Sequence, residues 1–369
     1  MVSNVGVSDF GFSDDAVVHD RDNCAHLMSE ALDEALERLH HWGPEWHERL
    51  SNHGPMVVES MIRHGHATAA GRWLDNYETK LDPMPTASRR IPADDWRSAL
   101  GDPARLGDWL GFFDNQLADA SWQQVLARWW PELLPGLAAS ATHSVIRLGH
   151  VVRTLRIDGE SEFRLQEFAQ SLAYWAGRWM PVPGRVRTDA GADLAVALTR
   201  LPALGIRGAF PDLLQQLGTS DLWPQCASVR VSDTPDEVEQ QLKALVTAAT
   251  LHYGSHGQQN PIMLVHAATA PNAVLRILPS LPRELWASSL HAAWTASAAI
   301  TTIYNPKDLP PDQAHLEKLH PQEVFDRAVE HGDEHVIKLA DTALDSYGWH
   351  HDQGALDAAF SACSFVERD

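Results

Sequence analysis

The sequence predicts an all-α protein, a single large multi-helix domain whose site lies between central helices. Three observations carry this. Apolar residues recur at helical spacing along most of the 369 residues, prolines and glycines fall between those stretches, and only 226–231 (CASVRV) looks strand-like. Residues 25–41 (AHLMSEALDEALERLHH) set the pattern, with Leu27, Ala31, Ala35 and Leu39 on one face. The same spacing predicts helices at 55–64, 66–79, 104–117, 121–130, 137–156, 160–176, 191–199, 236–252, 261–269, 283–303, 321–330 and 333–347. Prolines such as Pro131, Pro211, Pro271 and Pro310 mark expected helix starts or breaks. Residues 1–22 read as a flexible N-terminal segment and 23–369 as the helical domain. The proline-bearing stretches 81–95 and 179–190 are linkers with no change of composition across them, so neither is a domain boundary. The tract 287–299 (ASSLHAAWTASAA) is nearly all small residues, which either lets helices approach closely or leaves room for a ligand.

Charge narrows the partners. Acidic residues outnumber basic ones by 49 to 29, a formal charge of -20 that repels phosphate backbones and anionic headgroups, so nucleic acid and membrane surfaces are not expected partners. Cys24, Cys226 and Cys363 are far apart with no Cys-x-x-Cys pair, which suits a reducing cytosol and leaves no thiolate zinc site. No secretory leader and no membrane-spanning run is visible, and the expected location is cytoplasmic. Nothing in the sequence sets an oligomeric state.

Twenty histidines recur in pairs and triplets. Those at 40, 41, 350 and 351 read as solvated helix ends. The sharpest feature is His331-Gly332-Asp333-Glu334-His335-Val336-Ile337-Lys338 at a predicted helix start, with Asp333 suited to the cap. His335 and Lys338 share a face, while Glu334 and Lys338, four apart, would make an ordinary surface ion pair. A metal-binding Lys338 would need a neutral amine or carbamylation, which turns its tip into an oxygen ligand. His53, in NHGPM, precedes a helix whose Pro55 fits the first position, and His64 and His66 beside it are expected to be peripheral. His143 and His150 lie seven apart on one helical face. That is about 10 Å, too far for both to bind one ion, so His143 is taken as ligand and His150 as an auxiliary proton carrier. His266, in MLVHAATAPNAV, and His291, in SLHAAWTASAAI, sit on apolar faces where a hydrogen-bonded core histidine is the commoner outcome, and small neighbours leave space beside His266.

Imidazole ligands with few sulfurs suit zinc, copper, iron or nickel, and an oxygen ligand favours iron. The zinc-peptidase His-Glu-x-x-His, the Gly-x-Ser-x-Gly elbow and the phosphate-binding and dinucleotide glycine motifs are all absent, which disfavours a Rossmann-bound flavin or nicotinamide.

Taken in order, NHGPM, HSVIRLGHVVRTL, HAATAPNAVLRILP, HAAWTASAA and HGDEHVIKLADTAL resemble the questin oxidase-like family over roughly residues 30–347. Members are helical and open aromatic polyketide rings, chiefly anthraquinones, with molecular oxygen. Some look like cofactor-independent or NADPH-linked Baeyer-Villiger oxygenases, and a related ring-cleaving enzyme is a mononuclear iron dioxygenase with four histidine ligands and a carbamylated lysine. The resemblance therefore implies Fe(II), or another divalent metal, held by His53, His143, His266, His335 and Lys338. It implies O2 and a small aromatic substrate as partners. An NADPH requirement finds no binding motif. His150 would move the phenol proton, and His291, Trp294 and Tyr304 would wall the substrate pocket.

Two rivals remain on sequence grounds. A metal-dependent helical hydrolase would use the His-Asp pairs His19-Asp20 and His351-Asp352, both near the termini. A non-catalytic helical binding protein would keep the fold without the chemistry.

Overall fold

The computed structural model describes residues 14–47, 50–184, 186–187, 191–221, 223–306 and 318–368. Helices dominate: α1 Asp14–Leu39, α2 Gly54–Arg63, α3 Ala67–Tyr77, α4 Leu106–Asp119, α5 Trp122–Leu133, α6 His143–Ile157, α7 Glu162–Gly177 and α8 Leu194–Leu198. There follow α9 Phe210–Gly218, α10 Trp223–Cys226, α11 Pro235–His256, α12 Val265–Ile277, α13 Trp286–Tyr304, α14 Pro321–His331, α15 Glu334–His350 and α16 Gln353–Phe365. The all-α expectation holds. Among the described residues the only sheet is the short antiparallel pair β1 Glu45–Trp46 and β2 Leu50–Ser51. The strand-like 226–231 contributes a single bridge, Val229 to Ala192. The line drawn at residue 22 falls inside α1, and residues 1–13 lie outside the described residues. No helix of the described residues is long and apolar enough to cross a membrane.

Local chemistry explains several helix ends. Ser121 and Gln124 close a reciprocal capping box on α5. Gly332, at φ 87°, ends α14 in the left-handed conformation that glycine takes without steric cost, and the Asp333 carboxylate then accepts the His335 and Val336 amides to start α15. Helices α9 and α16 go beyond the sequence expectation. The first buries Leu213, Leu214 and Leu217, and the second is capped by Asp352.

Pro271 was expected to break its helix and does not; α12 continues to Ile277. A helical proline frees the carbonyl four residues earlier. Here that carbonyl, on Ala267, accepts the Ser297 hydroxyl of α13 at 2.7 Å, so the lost intrahelical bond is replaced from the neighbouring helix.

A continuous hydrophobic cluster runs from Leu32 to Val366. Within it α2, α6, α12 and α15 form the centre, with α6 packed on α12 and α15 packed on both α2 and α12. The approach of α6 to α12 requires small residues, because a Cβ at Gly149 would lie 2.6 Å from the Cβ of Ala273.

Candidate metal centre

Four imidazoles from four helices meet in this centre. His53 is the residue capping the N-terminus of α2, His143 is the first residue of α6, His266 the second of α12 and His335 the second of α15. The Nε2 of His143 lies 2.8 Å from that of His53 and 2.9 Å from that of His266. The His335 ring stands 4.9 Å from His53 and 5.4 Å from His266 between centroids. Ligating atoms of His53, His143 and His335 all fall within 4.8 Å of one another. All four histidines are buried, as is Lys338, one turn along α15 from His335.

The outward-facing nitrogens of His143, His266 and His53 have neighbours that hold them. His143 donates Nδ1–H to the Ser140 carbonyl at 2.6 Å, and His266 Nδ1 lies 3.2 Å from the Met263 carbonyl. A carbonyl only accepts, so both rings carry their proton on Nδ1 and both Nε2 atoms present lone pairs to each other across 2.9 Å. His53 Nδ1 lies 3.4 Å from the Tyr77 hydroxyl, which also accepts the His53 backbone N–H at 2.7 Å. A proton shared between His143 and His266 does not resolve the facing lone pairs. Burial, and then the charge of Lys338, hold both rings well below the ordinary imidazole range. The same causes act in the same order on His53.

Lys338 sits in the same setting. Burial pushes its amine down to about 7, against the opposing pull of Glu334 and Asp333. The surface ion pair with Glu334 is not formed: Nζ is enclosed without a hydrogen-bond partner, and Glu334 instead lies 3.6 Å from His53 Nδ1. Four helix N-termini add to the effect, each worth about +0.5 of an elementary charge. Positive helix ends favour neutral imidazole and neutral amine over their protonated forms.

These residues fit a metal ion. Two nitrogens each 2.0–2.1 Å from a cation and at right angles about it stand roughly 2.9 Å apart. The spacings at His143 match that, His143 and His266 turn Nε2 lone pairs toward one another, and Lys338 Nζ is a buried polar atom that lacks a partner.

Other expected site residues are placed differently. His150 lies two turns down α6 and does not join the cluster; its Nδ1 is 2.8 Å from the Glu59 carboxylate. His64, expected to be peripheral, reaches Asp341 at 3.0 Å, and His40, expected at a solvated end, is buried against Glu167 at 3.1 Å. Glu59, His150 and Asp341 form a second group with metal-like spacing, but Arg153 occupies both carboxylates, and that charge repels a second cation.

His291 lines a cavity of about 920 Å³ between α13, the segment 134–137 and residues Val182, Gly184, Val186 and Arg187. Ser288, Ala292, Thr295 and Ala296 supply its small-residue wall, so the tract at 287–299 does leave room on one face. Trp294 is on another face, fully buried with its indole N–H donated to the Ala227 carbonyl, and Tyr304 stacks on Phe210; neither lines this cavity. Of the hydrolase pairs, Asp352 is spent as the α16 cap and His351 is the left-handed residue ending α15, while the side chains of His19 and Asp20 lie outside the described residues.

Several contributors escaped the sequence reading: Tyr77, the Ser140 carbonyl, the buried charges Glu59, Arg153 and Asp341, and the half-buried Arg276. The signal for the charges was present, since Glu59 stands in the apolar run GPMVVESMIR, where a carboxylate must find a buried partner.

Residues 59–153 match the family model described as Questin oxidase-like. The resemblance carried by the five motifs is supported over that stretch, which contains His143 and His150 but not His53, His266, His335 or Lys338. No curated protein matches the chain.

Proposed function

We propose that this chain is an oxygenase acting on an aromatic, polyketide-like substrate, with one iron ion held by His53, His143, His266, His335 and Lys338. The observation that carries the metal reading is the His143–His266 pair, whose facing lone pairs at 2.9 Å call for a cation that is not a proton. The oxygenase reading is supported by the family match at 59–153. Iron, when bound, supplies oxygen activation that no side chain provides.

The protein's own residues do the rest. Ser140 and Met263 carbonyls fix the His143 and His266 tautomers, so neither ring has to reorient to bind. Lys338, with its amine lowered to about 7, carries an appreciable neutral fraction at physiological pH, the form that reacts with carbon dioxide to give a carbamate. The carbamate would complete the donor set with an anionic oxygen, favouring iron over a purely nitrogen-bound metal. A substrate hydroxyl brought to the four positive helix ends would be favoured in its ionised form. The cavity beside α13 is within the usual range of about 300–1,000 Å³ for small-molecule pockets, and His291, Ser288 and Thr295 offer polar contacts in its wall.

His150 is bound to Glu59, so the proton of an ionising hydroxyl is better assigned to solvent than to this ring. The test is elemental analysis of the purified protein combined with oxygen uptake on adding a hydroxyanthraquinone. One metal ion per chain and substrate-dependent uptake are expected. Metal-free protein that still consumes oxygen would overturn the iron reading, and metal-loaded protein that consumes none with any hydroxyquinone would overturn the oxygenase reading.

A further inference from the structure

Each of the four helices that brings a histidine to the cluster also sends a residue into a second buried group farther along. On α2, Glu59 follows His53 by six residues; on α6, His150 and Arg153 follow His143 by seven and ten; on α12, Arg276 follows His266 by ten; on α15, Asp341 follows His335 by six. At 1.5 Å per residue the second group lies roughly 9–15 Å along the helix axes from the first. Both groups therefore tie the same four helices, and all four run from the histidines toward the charges.

The second group is continuous. Glu59 accepts from Arg153 Nε at 2.9 Å, from His150 Nδ1 at 2.8 Å and from Arg63 Nε at 2.7 Å. Arg153 also donates to both oxygens of Asp341, at 3.1 and 3.0 Å. Asp341 accepts from Arg276 at 2.7 Å and is joined by His64 at 3.0 Å, and Arg276 continues to Asp345 at 2.6 Å. Burial alone would raise the Glu59 and Asp341 carboxyls, but the Arg153 charge, together with His150 and Arg63 at Glu59 and with Arg276 and His64 at Asp341, more than reverses it and both are held well below the carboxylate range.

A buried ionic group of this kind gives little net stability, because desolvation offsets most of the attraction; what it does supply is directionality. Apolar side chains would let these helices slide or rotate by a fraction of a residue at small cost, whereas a carboxylate forked to a guanidinium tolerates little such movement. Metal ligands need positions held to about 0.5 Å. We infer that the Glu59–Arg153–Asp341–Arg276 group is a positioning device, fixing the register of α2, α6, α12 and α15 so that the four imidazoles converge on one cation. The inference rests on the metal reading of the histidine cluster.

The experiment measures Co(II) affinity and the cobalt visible spectrum for wild-type protein and for Asp341→Asn, Arg276→Gln and Arg276→Lys, with helical circular dichroism as the fold control. None of these residues touches the cluster. Expected are a native helical signal, a loss of at least tenfold in Co(II) affinity with an altered ligand-field spectrum in Arg276→Gln, a larger loss in Asp341→Asn, and substantial recovery in Arg276→Lys. Folded variants with wild-type affinity and spectrum would overturn the inference. So would loss of helical signal in Arg276→Gln, whose position beside the partly exposed Asp345 leaves the Glu59–Arg153 pair intact, because the group would then hold the fold and not the site. Wild-type protein that takes up no cobalt would overturn the metal centre itself, and with it this inference.

Discussion

The Ser140 carbonyl receives the Nδ1–H of His143 at 2.6 Å across a turn in which Ser140, Ala141 and Thr142 all have positive φ, at 49°, 52° and 73°. Residues with a Cβ avoid this region, at a cost of order 1–3 kcal/mol each. Three in succession are tolerated because the turn starts α6 at His143 and aims its ring. The sequence expectation of a helix from 137 fails here for that reason.

Ala141→Gly should therefore stabilise the metal-free protein by about 1 kcal/mol, since glycine adopts positive φ freely and loses part of the gain to unfolded-chain entropy. Urea denaturation checks it, and a lower unfolding midpoint would show that the turn stores no strain.

Removing a direct ligand should separate from removing a histidine outside the cluster. His266→Ala should lower iron or cobalt affinity by more than about 100-fold, beyond the 10–100-fold cost of losing a supporting residue. His150→Ala should cost no more than that supporting range. Equal losses, read by equilibrium dialysis, would contradict the placement of His150 with Glu59.

Tyr77→Phe removes the acceptor of the buried His53 backbone N–H. A loss of about 1–3 kcal/mol is expected from the orphaned donor, together with weaker metal binding because His53 Nδ1 loses its neighbour. Chemical denaturation and a cobalt titration check the two parts separately.

The pH dependence of the metal-free protein follows from Lys338. Its folded pKa of about 7 lies below the ordinary lysine value of 10.5, so between these pH values the unfolded chain binds the extra proton and stability rises with pH. Below about 7 both states are protonated and the contribution is flat. Comparing the wild type with Lys338→Met isolates it: the variant should hold its greatest relative advantage at or below pH 7, and the wild type should recover as pH rises toward 10, by up to roughly 5 kcal/mol at 1.36 kcal/mol per unit. A difference that stays constant over that window would show that Lys338 is not buried as an amine.

Trp294→Ala should destabilise by about 3–5 kcal/mol, as expected for a fully buried indole whose removal leaves a cavity and orphans the Ala227 carbonyl. His291→Ala should leave stability within about 0.5 kcal/mol and instead raise KM for an aromatic substrate, because the ring lines the open cavity. Steady-state oxygen uptake distinguishes the two.

Helical periodicity, capping residues such as Ser121 and Asp333, and the order of the histidine-bearing motifs are local properties, and the sequence alone determined from them an all-α chain and which imidazoles to watch. Local spacing could also exclude His143 and His150 from one ion, since helix rise is a constant. It could not show which carbonyls receive His143 and His266, that Pro271 keeps its helix because Ser297 reaches the freed carbonyl of Ala267, or that Lys338 loses its ion pair to burial. Those outcomes depend on which helices become neighbours. Such neighbours, like α6 and α12 pressed together at Gly149 and Ala273, are chosen by packing across more than a hundred residues of chain, where no periodicity reaches.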